Sequence, residues 1–574
     1  MKQQPKPVNY FHHIITVFFA AVILWQGGFS AAAWCLAGAL ISALLIFRPF
    51  AAPSKFALIA SVGFFVAYIS SAVLNGSHAE GFVGVMKLAV IFLCGLLLFG
   101  AKLDTDDLIF KAGMVAACVG LLTFGGWLPL SGMTVAGRLF GIFQYANATG
   151  LFLAVCAFLT RLSEKRASWA VLMETALVLT QSVGALGVYI LGWILYRVIK
   201  KEPVGIHVCG MILAAVLAAG ILGIVNYTPA PWLAPLIPVA YIAARKPMMK
   251  LLTLISQKKW ISIGAVILAG TAAMGLLVLR QFRPLYTFLE RAVQMTDGFR
   301  AMLSHPFGIG PGAWAFTYRA YQSADYSATV LHCGYLQIGL DGGFIALICV
   351  LALIGYWLYK QKMGKYTVAA LMIFIHAAQD ISFSFLAIIL LLLLCVRASL
   401  PEARSKRLPQ KISVAFALPM IACIVLFIPE TVKNQAAWLA NTGQYEAAAA
   451  KLETGFLLPN DTDAALKQMA DAAGADNYLK LDSIFAGMPN PNAEAYDWEA
   501  LSLEKQKRYT EAADAALRCI QTAPYWQNSY TILNEILPNL SPAEQANVTR
   551  QMDTVKGAAD KTAHPFAKYI GESG

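Results

Sequence analysis

The run FVGVMKLAVIFLCGLLLFG, residues 82–100, contains a single charged side chain, Lys87. An α-helix needs about 20 apolar residues to cross the hydrocarbon core of a bilayer. Comparable runs recur along the chain, which is 58% hydrophobic and 13% charged and has a mean hydropathy of +0.61. Soluble proteins carry roughly 25% charged residues, so the composition predicts a polytopic membrane protein.

The apolar runs predict an all-α fold, a polytopic transmembrane helical bundle of about 12–15 spans. The first run, residues 11–29, has no small-residue cleavage site of the usual form, so we expect a span and not a removed signal peptide. The runs lie near 11–29, 31–47, 56–74, 82–100, 108–128, 146–160, 168–181, 184–199, 204–226, 230–244, 260–280, 333–359, 366–379, 382–396 and 412–428.

Most Lys and Arg residues fall in alternate loops between these runs, for example at 161–166, 197–201, 245–259 and 360–365. The positive-inside rule makes these loops cytoplasmic. The N-terminus is then cytoplasmic, and residues 129–145, 281–332 and the chain after about 429 are extracytoplasmic. The net charge of +12 is therefore explained by membrane topology, and we expect no nucleic-acid partner.

The loop at 281–332 is basic through arginine alone and contains no Lys. Guanidinium groups bind phosphate through two donors, whereas an ammonium offers only a point charge. We therefore consider these side chains as candidate phosphate ligands. The alternative is that they contact lipid headgroups or pair with Glu290, Asp297 and Asp325. The arginines are Arg283, Arg291, Arg300 and Arg319.

The same loop contains HPFGIGPGAW, residues 305–314, in which glycines alternate with larger residues. A P-loop would need a Lys after its second glycine, and a dinucleotide loop would read GxGxxG between a strand and a helix. Pro311 also removes one backbone donor. We interpret the stretch as a tight turn whose glycines supply positive φ; the alternative is a cradle for phosphate.

Two acidic stretches resemble metal motifs, DTDD at 104–107 and NDTDAAL at 460–466. Each precedes an apolar or Ala-rich helix, so we interpret both as helix N-caps with acidic first turns. The ten cysteines form no CxxC pair and no metal-binding spacing. The sequence therefore predicts neither a metal nor another cofactor.

Residues 430–574 differ from the rest of the chain and contain a weak repeat. WLANTGQYEAAAAKLETGFLLPND (438–461) and KQKRYTEAADAALRCIQTAPYW (505–526) share Tyr, Ala and Pro positions, and Pro459, Pro491 and Pro524 are spaced by 32 and 33 residues. Tetratricopeptide (TPR) repeats are about 34 residues long and have this pattern. We predict a TPR-like α-solenoid, which typically binds a protein or peptide partner.

Four motifs follow one another on the predicted outer face: GRLFGIFQYANATG (137–150), TQSVGALGVYILG (180–192), HPFGIGPGAW and LHCGYLQIGLDGGFIALI (331–348). In order and spacing they resemble the O-antigen ligase and O-antigen polymerase superfamily of bacterial membrane glycosyltransferases. The resemblance covers residues 136–355 of a transmembrane domain at 1–429, and residues 430–574 form the second domain.

The resemblance implies a metal-independent inverting glycosyltransferase at the outer face of the bacterial cytoplasmic membrane. Its donor would be an undecaprenyl-diphosphate-linked glycan, and its acceptor a hydroxyl group of a glycan, lipid or protein. Ligation to lipid A core, glycan polymerisation and protein glycosylation remain open. The alternatives from other classes are a transporter or flippase of lipid-linked sugars, and a membrane scaffold that presents the tail.

The resemblance also implies site residues. His332 matches the family's functional histidine, Arg291 an arginine that contacts the donor diphosphate, and Asp341 an acidic residue of the next span. The family's SRG motif reads SVG here, with Val183 in the arginine position, so Arg138 or Arg300 is expected to compensate. Arg283 and Arg319 complete the set of expected substrate ligands.

The chemistry of these residue types agrees with that assignment. Fixed arginine donors can stabilise the growing charge of a diphosphate leaving group without a metal. A histidine can take a proton from the acceptor hydroxyl near neutral pH. We expect the glycine turn to fold the outer loop so that Arg291 and His332 come together.

Overall fold

The computed structural model describes residues 10–47, 52–75, 78–201, 205–256, 283–401 and 410–570. This described part of the chain is 78% helical, which confirms the all-α class. Seven helices in this part are long and apolar enough to cross a membrane, and six shorter apolar helices accompany them. The span predicted near 260–280 lies outside the described residues.

The helices of the first half follow the predicted apolar runs. A small two-stranded ribbon, β1 (Thr134–Val135) and β2 (Arg138–Leu139), lies between α5 and α6. The helices are α1 (Tyr10–Leu24), α2 (Ala31–Phe47), α3 (Lys55–Leu74), α4 (His78–Gly100), α5 (Thr105–Phe124), α6 (Ala146–Arg161), α7 (Ala170–Thr180), α8 (Val183–Lys200), α9 (Gly205–Tyr227) and α10 (Leu236–Ser256).

The second half contains the predicted outer loop and the remaining apolar helices, followed by the tail. The outer loop is itself mostly helical. The helices are α11 (Arg283–Ser304), α12 (Trp314–Thr317), α13 (Gly334–Lys360), α14 (Lys365–Ala377), α15 (Leu386–Ser399) and α16 (Ala417–Asn441), then α17 (Tyr445–Thr454), α18 (Thr462–Gly474), α19 (Tyr478–Ala486), α20 (Ala493–Lys505), α21 (Tyr509–Thr522), α22 (Gln527–Ile536) and α23 (Pro542–Thr562).

Helix α6 lies at the centre of the bundle, where it is buried along almost its whole length. Association of helices within lipid depends on close van der Waals packing, which small residues permit. A Cβ at Gly113 of α5 would lie 2.6 Å from the Cβ of Cys156, and a Cβ at Gly192 of α8 would lie 2.6 Å from Met372 Sδ. These glycines therefore set how closely the helices approach.

Several basic loops meet at one end of the bundle. Asp107 of α5 lies 2.6 Å from Arg166, and Asp106 lies 2.8 Å from Lys365. Asp104 caps α5 by accepting a hydrogen bond from the Asp107 backbone N–H, and Asp461 caps α18 in the same way. The N-cap interpretation of both acidic stretches is confirmed.

The stretch 305–314 is the tight turn that its glycines predict, because Gly308, Gly310 and Gly312 have φ of +86°, +103° and +79°. The turn fits into a break in α13, where Gly343 has φ of +74°. The Ile309 N–H donates to the Leu340 carbonyl at 2.7 Å. The Phe344 N–H donates to the Pro306 carbonyl at 3.0 Å. The turn thus satisfies backbone groups that the helix break leaves unpaired.

The tail begins on α16, which continues without interruption across residue 430 to Asn441. Its helices pack against their sequence neighbours, α18 against α17 and α19, and α21 against α20 and α22. Alanines fill the interface of α20, α21 and α22, among them Ala500, Ala512 and Ala516, all 0% exposed. The TPR interpretation of this arrangement stays a prediction.

The tail packs onto the segment 283–333. The Arg319 guanidinium lies 4.0 Å from the centre of the Trp526 ring. The backbone N–H of His564 donates to the Ser323 carbonyl at 2.9 Å. Ser323 in turn donates from its N–H and its hydroxyl to Asp297 of α11. The tail therefore lies against the same loop that carries the predicted site.

Candidate functional site

Arg291 lies on the inward face of α11 and is held by the segment between α14 and α15. Its Nη2 is 3.1 Å from the Asp380 carboxylate, and its Nη1 donates to the Gln379 carbonyl at 2.9 Å. The Asp380 side chain is 2% exposed and the Arg291 side chain 21%. Arg291 thus pairs with an acid outside the outer loop, and not with Glu290, Asp297 or Asp325.

Asp380 organises this end of the bundle. Its carboxylate also accepts hydrogen bonds from Asn147 Nδ2 at 2.8 Å and from the Tyr145 hydroxyl at 3.2 Å. The Ser182 hydroxyl donates to Asn147 Oδ1 at 2.8 Å, which fixes the orientation of that amide. The segment 145–147 and helix α11 therefore meet at one buried carboxylate, and Ser182 is connected to it through Asn147.

Arg138 joins the same region through the end of α7. Its Nε donates to the Thr180 carbonyl at 3.1 Å, two residues before Ser182. Val183, which stands where the resemblance expects an arginine, begins α8 and is 47% exposed. Arg138 thus contacts the segment that leads into Val183, and its compensating role stays a prediction.

His332 precedes α13, is half-buried, and lies within electrostatic range of Arg291 and Asp380. Burial lowers the pKa of its imidazole, the positive charge of Arg291 lowers it further, and Asp380 opposes both. The ring is therefore neutral near pH 7. Among the described residues, His332 Nδ1 and Arg291 Nε are buried and have no hydrogen-bond partner, so each keeps an unused hydrogen-bonding position.

The other expected substrate ligands lie elsewhere. The Arg300 side chain is 60% exposed, and its position on α11 is about 13 Å along the helix axis from Arg291. Arg319 stacks on Trp526 of the tail, so aromatic packing occupies its guanidinium. The Arg283 side chain lies outside what the structure describes.

Asp341 is also separate from the Arg291 region and lies at the break in α13. Its Oδ1 accepts from Gln337 at 2.9 Å and, more weakly, from the Gly312 N–H at 3.4 Å. The Tyr68 hydroxyl lies 3.4 Å from Oδ2. These contacts connect Asp341 with the glycine turn and with α3.

Sequence reasoning missed Asp380, Asn147 and Tyr145. Asp380 stands between two predicted spans, at the end where the outer loops were expected, so its position was a usable signal. Asn147 and Tyr145 lie within a quoted motif, but nothing local to that motif indicates a carboxylate partner.

No protein-family model, no curated protein and no solved structure matches this chain. Arg291, Arg138, His332 and Asp380 form the candidate site. Their arrangement places fixed guanidinium groups and a neutral imidazole at one end of an apolar helical bundle. Such a site can hold an anion and accept a proton beside it.

Proposed function

We propose that this chain is a metal-independent inverting glycosyltransferase. It would transfer or polymerise glycan from an undecaprenyl-diphosphate-linked donor onto a hydroxyl acceptor. One observation carries the proposal: Arg291 is fixed 3.1 Å from Asp380, and the partly buried His332 lies within electrostatic range of both, while Arg291 Nε and His332 Nδ1 keep no protein partner. The resemblance of residues 136–355 to O-antigen ligases and polymerases supports the same reaction.

In the proposed reaction, the acceptor hydroxyl transfers its proton to the neutral imidazole of His332. The acceptor oxygen then attacks the anomeric carbon of the donor sugar from the side opposite the diphosphate. The bond between that carbon and the diphosphate oxygen breaks, and both of its electrons leave with the diphosphate. Arg291 stabilises the charge that grows there, because Asp380 and the Gln379 carbonyl hold its guanidinium in place.

The proposal places the protein in the bacterial cytoplasmic membrane, with the site and the tail on the extracytoplasmic side and the N-terminus in the cytoplasm. The alternation of basic loops supports this orientation. The tail would act as a TPR-like solenoid and bind a protein or peptide partner. Ligation to lipid A core, glycan polymerisation and transfer to protein hydroxyls remain alternatives within the class.

A second candidate function, transport of lipid-linked sugars, is favoured by one observation. Asp341 lies within α13, a candidate membrane span, beside the break at Gly343. Charged groups and discontinuous helices within the membrane are frequent features of transporters. The enzyme proposal is preferred because it accounts for the network in which Asn147, Tyr145 and Arg291 share the Asp380 carboxylate.

The discriminating experiment measures glycan transfer from purified undecaprenyl-diphosphate-linked donor in detergent. No membrane separates two compartments there, so transport cannot be measured. The wild-type chain should transfer glycan and His332→Ala should not, although it should still bind donor. His305→Ala is the matched control, because that imidazole contacts the Ala301 carbonyl and Ser304 of its own turn. Transfer by His332→Ala at the wild-type rate would refute the mechanism. Vesicle translocation without transfer in detergent would favour the transporter.

A further inference from the structure

Helix α11 exposes an apolar stripe along one face. Phe288, Phe299 and Leu303 are 68%, 46% and 54% exposed. Their spacings of eleven and four residues place them on one side of a helix with 3.6 residues per turn. Phe307, just beyond the helix, extends the stripe and is 61% exposed. Large apolar side chains exposed together on one face indicate a surface that another apolar phase covers.

The opposite face of α11 packs into the protein. Val293, Asp297 and Ala301 are 0% exposed and Gln294 is 1% exposed, and Arg291 makes its ion pair on this side. The helix contains five charged residues and is not among the helices apolar enough to cross a membrane. An apolar stripe on a helix of low overall hydrophobicity is typical of helices that lie in the membrane interface.

We propose that α11 lies in the surface of the bilayer, with Phe288, Phe299, Leu303 and Phe307 among the acyl chains of membrane lipids. Arg300 supports this orientation. Its side chain is 60% exposed and follows the stripe residue Phe299 directly, so its guanidinium can reach the lipid phosphates while its methylenes remain beside the apolar chains. A guanidinium at the level of the headgroups can donate hydrogen bonds to lipid phosphates.

The placement of α11 has a consequence for the site, which rests on the proposed function. Because Arg291 is on the same helix as the stripe, it would lie close to the depth of the lipid phosphates. A diphosphate attached to a membrane-embedded isoprenoid would then reach Arg291 by lateral diffusion within the leaflet. The membrane placement of α11 itself does not depend on any catalytic activity.

The first test uses spin labels on single cysteines in lipid nanodiscs, in a background in which the ten native cysteines are replaced. Labels at positions 288, 299 and 303 should be accessible to oxygen and protected from a water-soluble nickel complex. Ile348 of α13, 63% exposed, is the lipid reference. Glu511 of the tail, whose side chain is 58% exposed, is the water reference. Nickel accessibility at all three positions equal to that at Glu511 would overturn the proposal.

The second test keeps the native cysteines, in case the depleted background does not fold. A photo-crosslinking phenylalanine analogue replaces Phe299, and the nanodiscs contain radiolabelled lipid. The expected result is a lipid adduct at 299 and at the Ile348 reference and none at Glu511. An adduct with a second copy of the chain or another protein, in place of lipid, would show that the stripe is a protein interface and contradict the proposal. Because neither test measures transfer, the proposed function can fail while this inference stands, or the reverse.

Discussion

The guanidinium of Arg291 lies 3.1 Å from the carboxylate of Asp380, although the first residue belongs to the outer loop and the second to a short turn between α14 and α15. Three further donors, from Asn147, Tyr145 and the Ile381 backbone, converge on the same carboxylate. A buried charge with this many partners stabilises one arrangement of the segments that meet at it.

Asp380→Asn should lower the free energy of unfolding by about 3 kcal/mol, the low end of the effect of removing one partner of a buried ion pair. The low end is expected because the Arg291 side chain is 21% exposed and can still reach water. Asn147→Ala should cost about 1 to 2 kcal/mol. Chemical unfolding of the purified protein measures both.

Because the Asp380 and Asn147 side chains share a hydrogen bond, the double variant should lose less free energy of unfolding than the sum of the two single variants. Additive losses would show that this contact is not formed.

Gly343→Ala should strongly destabilise the membrane domain. Gly343 has φ of +74°, and a Cβ there would lie 2.4 Å from the Pro306 carbonyl oxygen, so the turn at 305–314 could not remain in the helix break. A residue forced into this conformation costs about 1–3 kcal/mol before the clash is counted. Gly355→Ala in the same helix is the control, because a Cβ there meets nothing within 4 Å. Equal melting temperatures of the two variants would show that the turn does not dock as described.

The spans and the glycine turn could be predicted from sequence because their causes are local. The length of an apolar run indicates a membrane-spanning helix, and a backbone with positive φ favours glycine. The partners of the arginines could not be predicted from the sequence. Arg319 was expected to bind phosphate, but it stacks on Trp526, which lies far along the chain. Nothing near Arg291 identifies Asp380, because an ion pair between helices depends on how the bundle packs. Residue types therefore indicated the candidates, and only tertiary structure selected among them.

The predicted topology can be tested by cysteine accessibility in spheroplasts, in a cysteine-depleted background. From sequence, Ser323 is an obvious probe of the outer loop. It is only 3% exposed, however, and its hydroxyl donates a hydrogen bond to Asp297. Ala320, exposed in the same loop, is the better choice. Ala320→Cys should react with an impermeant thiol reagent, and Lys362→Cys, between α13 and α14, should react only after lysis. The reverse labelling would place the site in the cytoplasm and overturn the proposed function.

The pH dependence of transfer should depend on His332. Its pKa is lowered by burial and by Arg291, whereas the pKa of an unperturbed histidine is about 6.5. Since the neutral imidazole accepts the proton, kcat/KM should be constant above about pH 6.5 and fall only at lower pH. The free energy of unfolding should change with pH in the same direction. The contribution of the neutral ring is present above the unfolded-state pKa and is lost as the pH falls below it.

Asp380→Asn provides the control for this assignment. Asp380 raises the pKa of His332, so its removal should move the acidic limb of the pH profile to still lower pH while the maximal rate falls. An acidic limb that moves to higher pH in this variant would show that another group titrates.

The arginines should differ in how much transfer depends on them. Arg291→Lys keeps the charge but cannot preserve the contacts with Asp380 and the Gln379 carbonyl while offering a donor to the diphosphate, so kcat/KM should fall by about 10²- to 10³-fold. Arg138→Lys should cost less, about tenfold, because the proposed mechanism gives Arg291 the main contact with the diphosphate and Arg138, which donates to the Thr180 carbonyl, a supporting one. Arg300→Lys should stay close to wild type, since its side chain is 60% exposed and only loosely paired with Asp297.

The measurement for all three arginine variants is transfer from the lipid-linked donor with and without a chelator. The chelator should change none of the rates, because the proposed reaction uses no metal. If Arg300→Lys lost the most activity, or if the chelator alone abolished wild-type transfer, the diphosphate would be held by a different set of groups from the one built around Asp380.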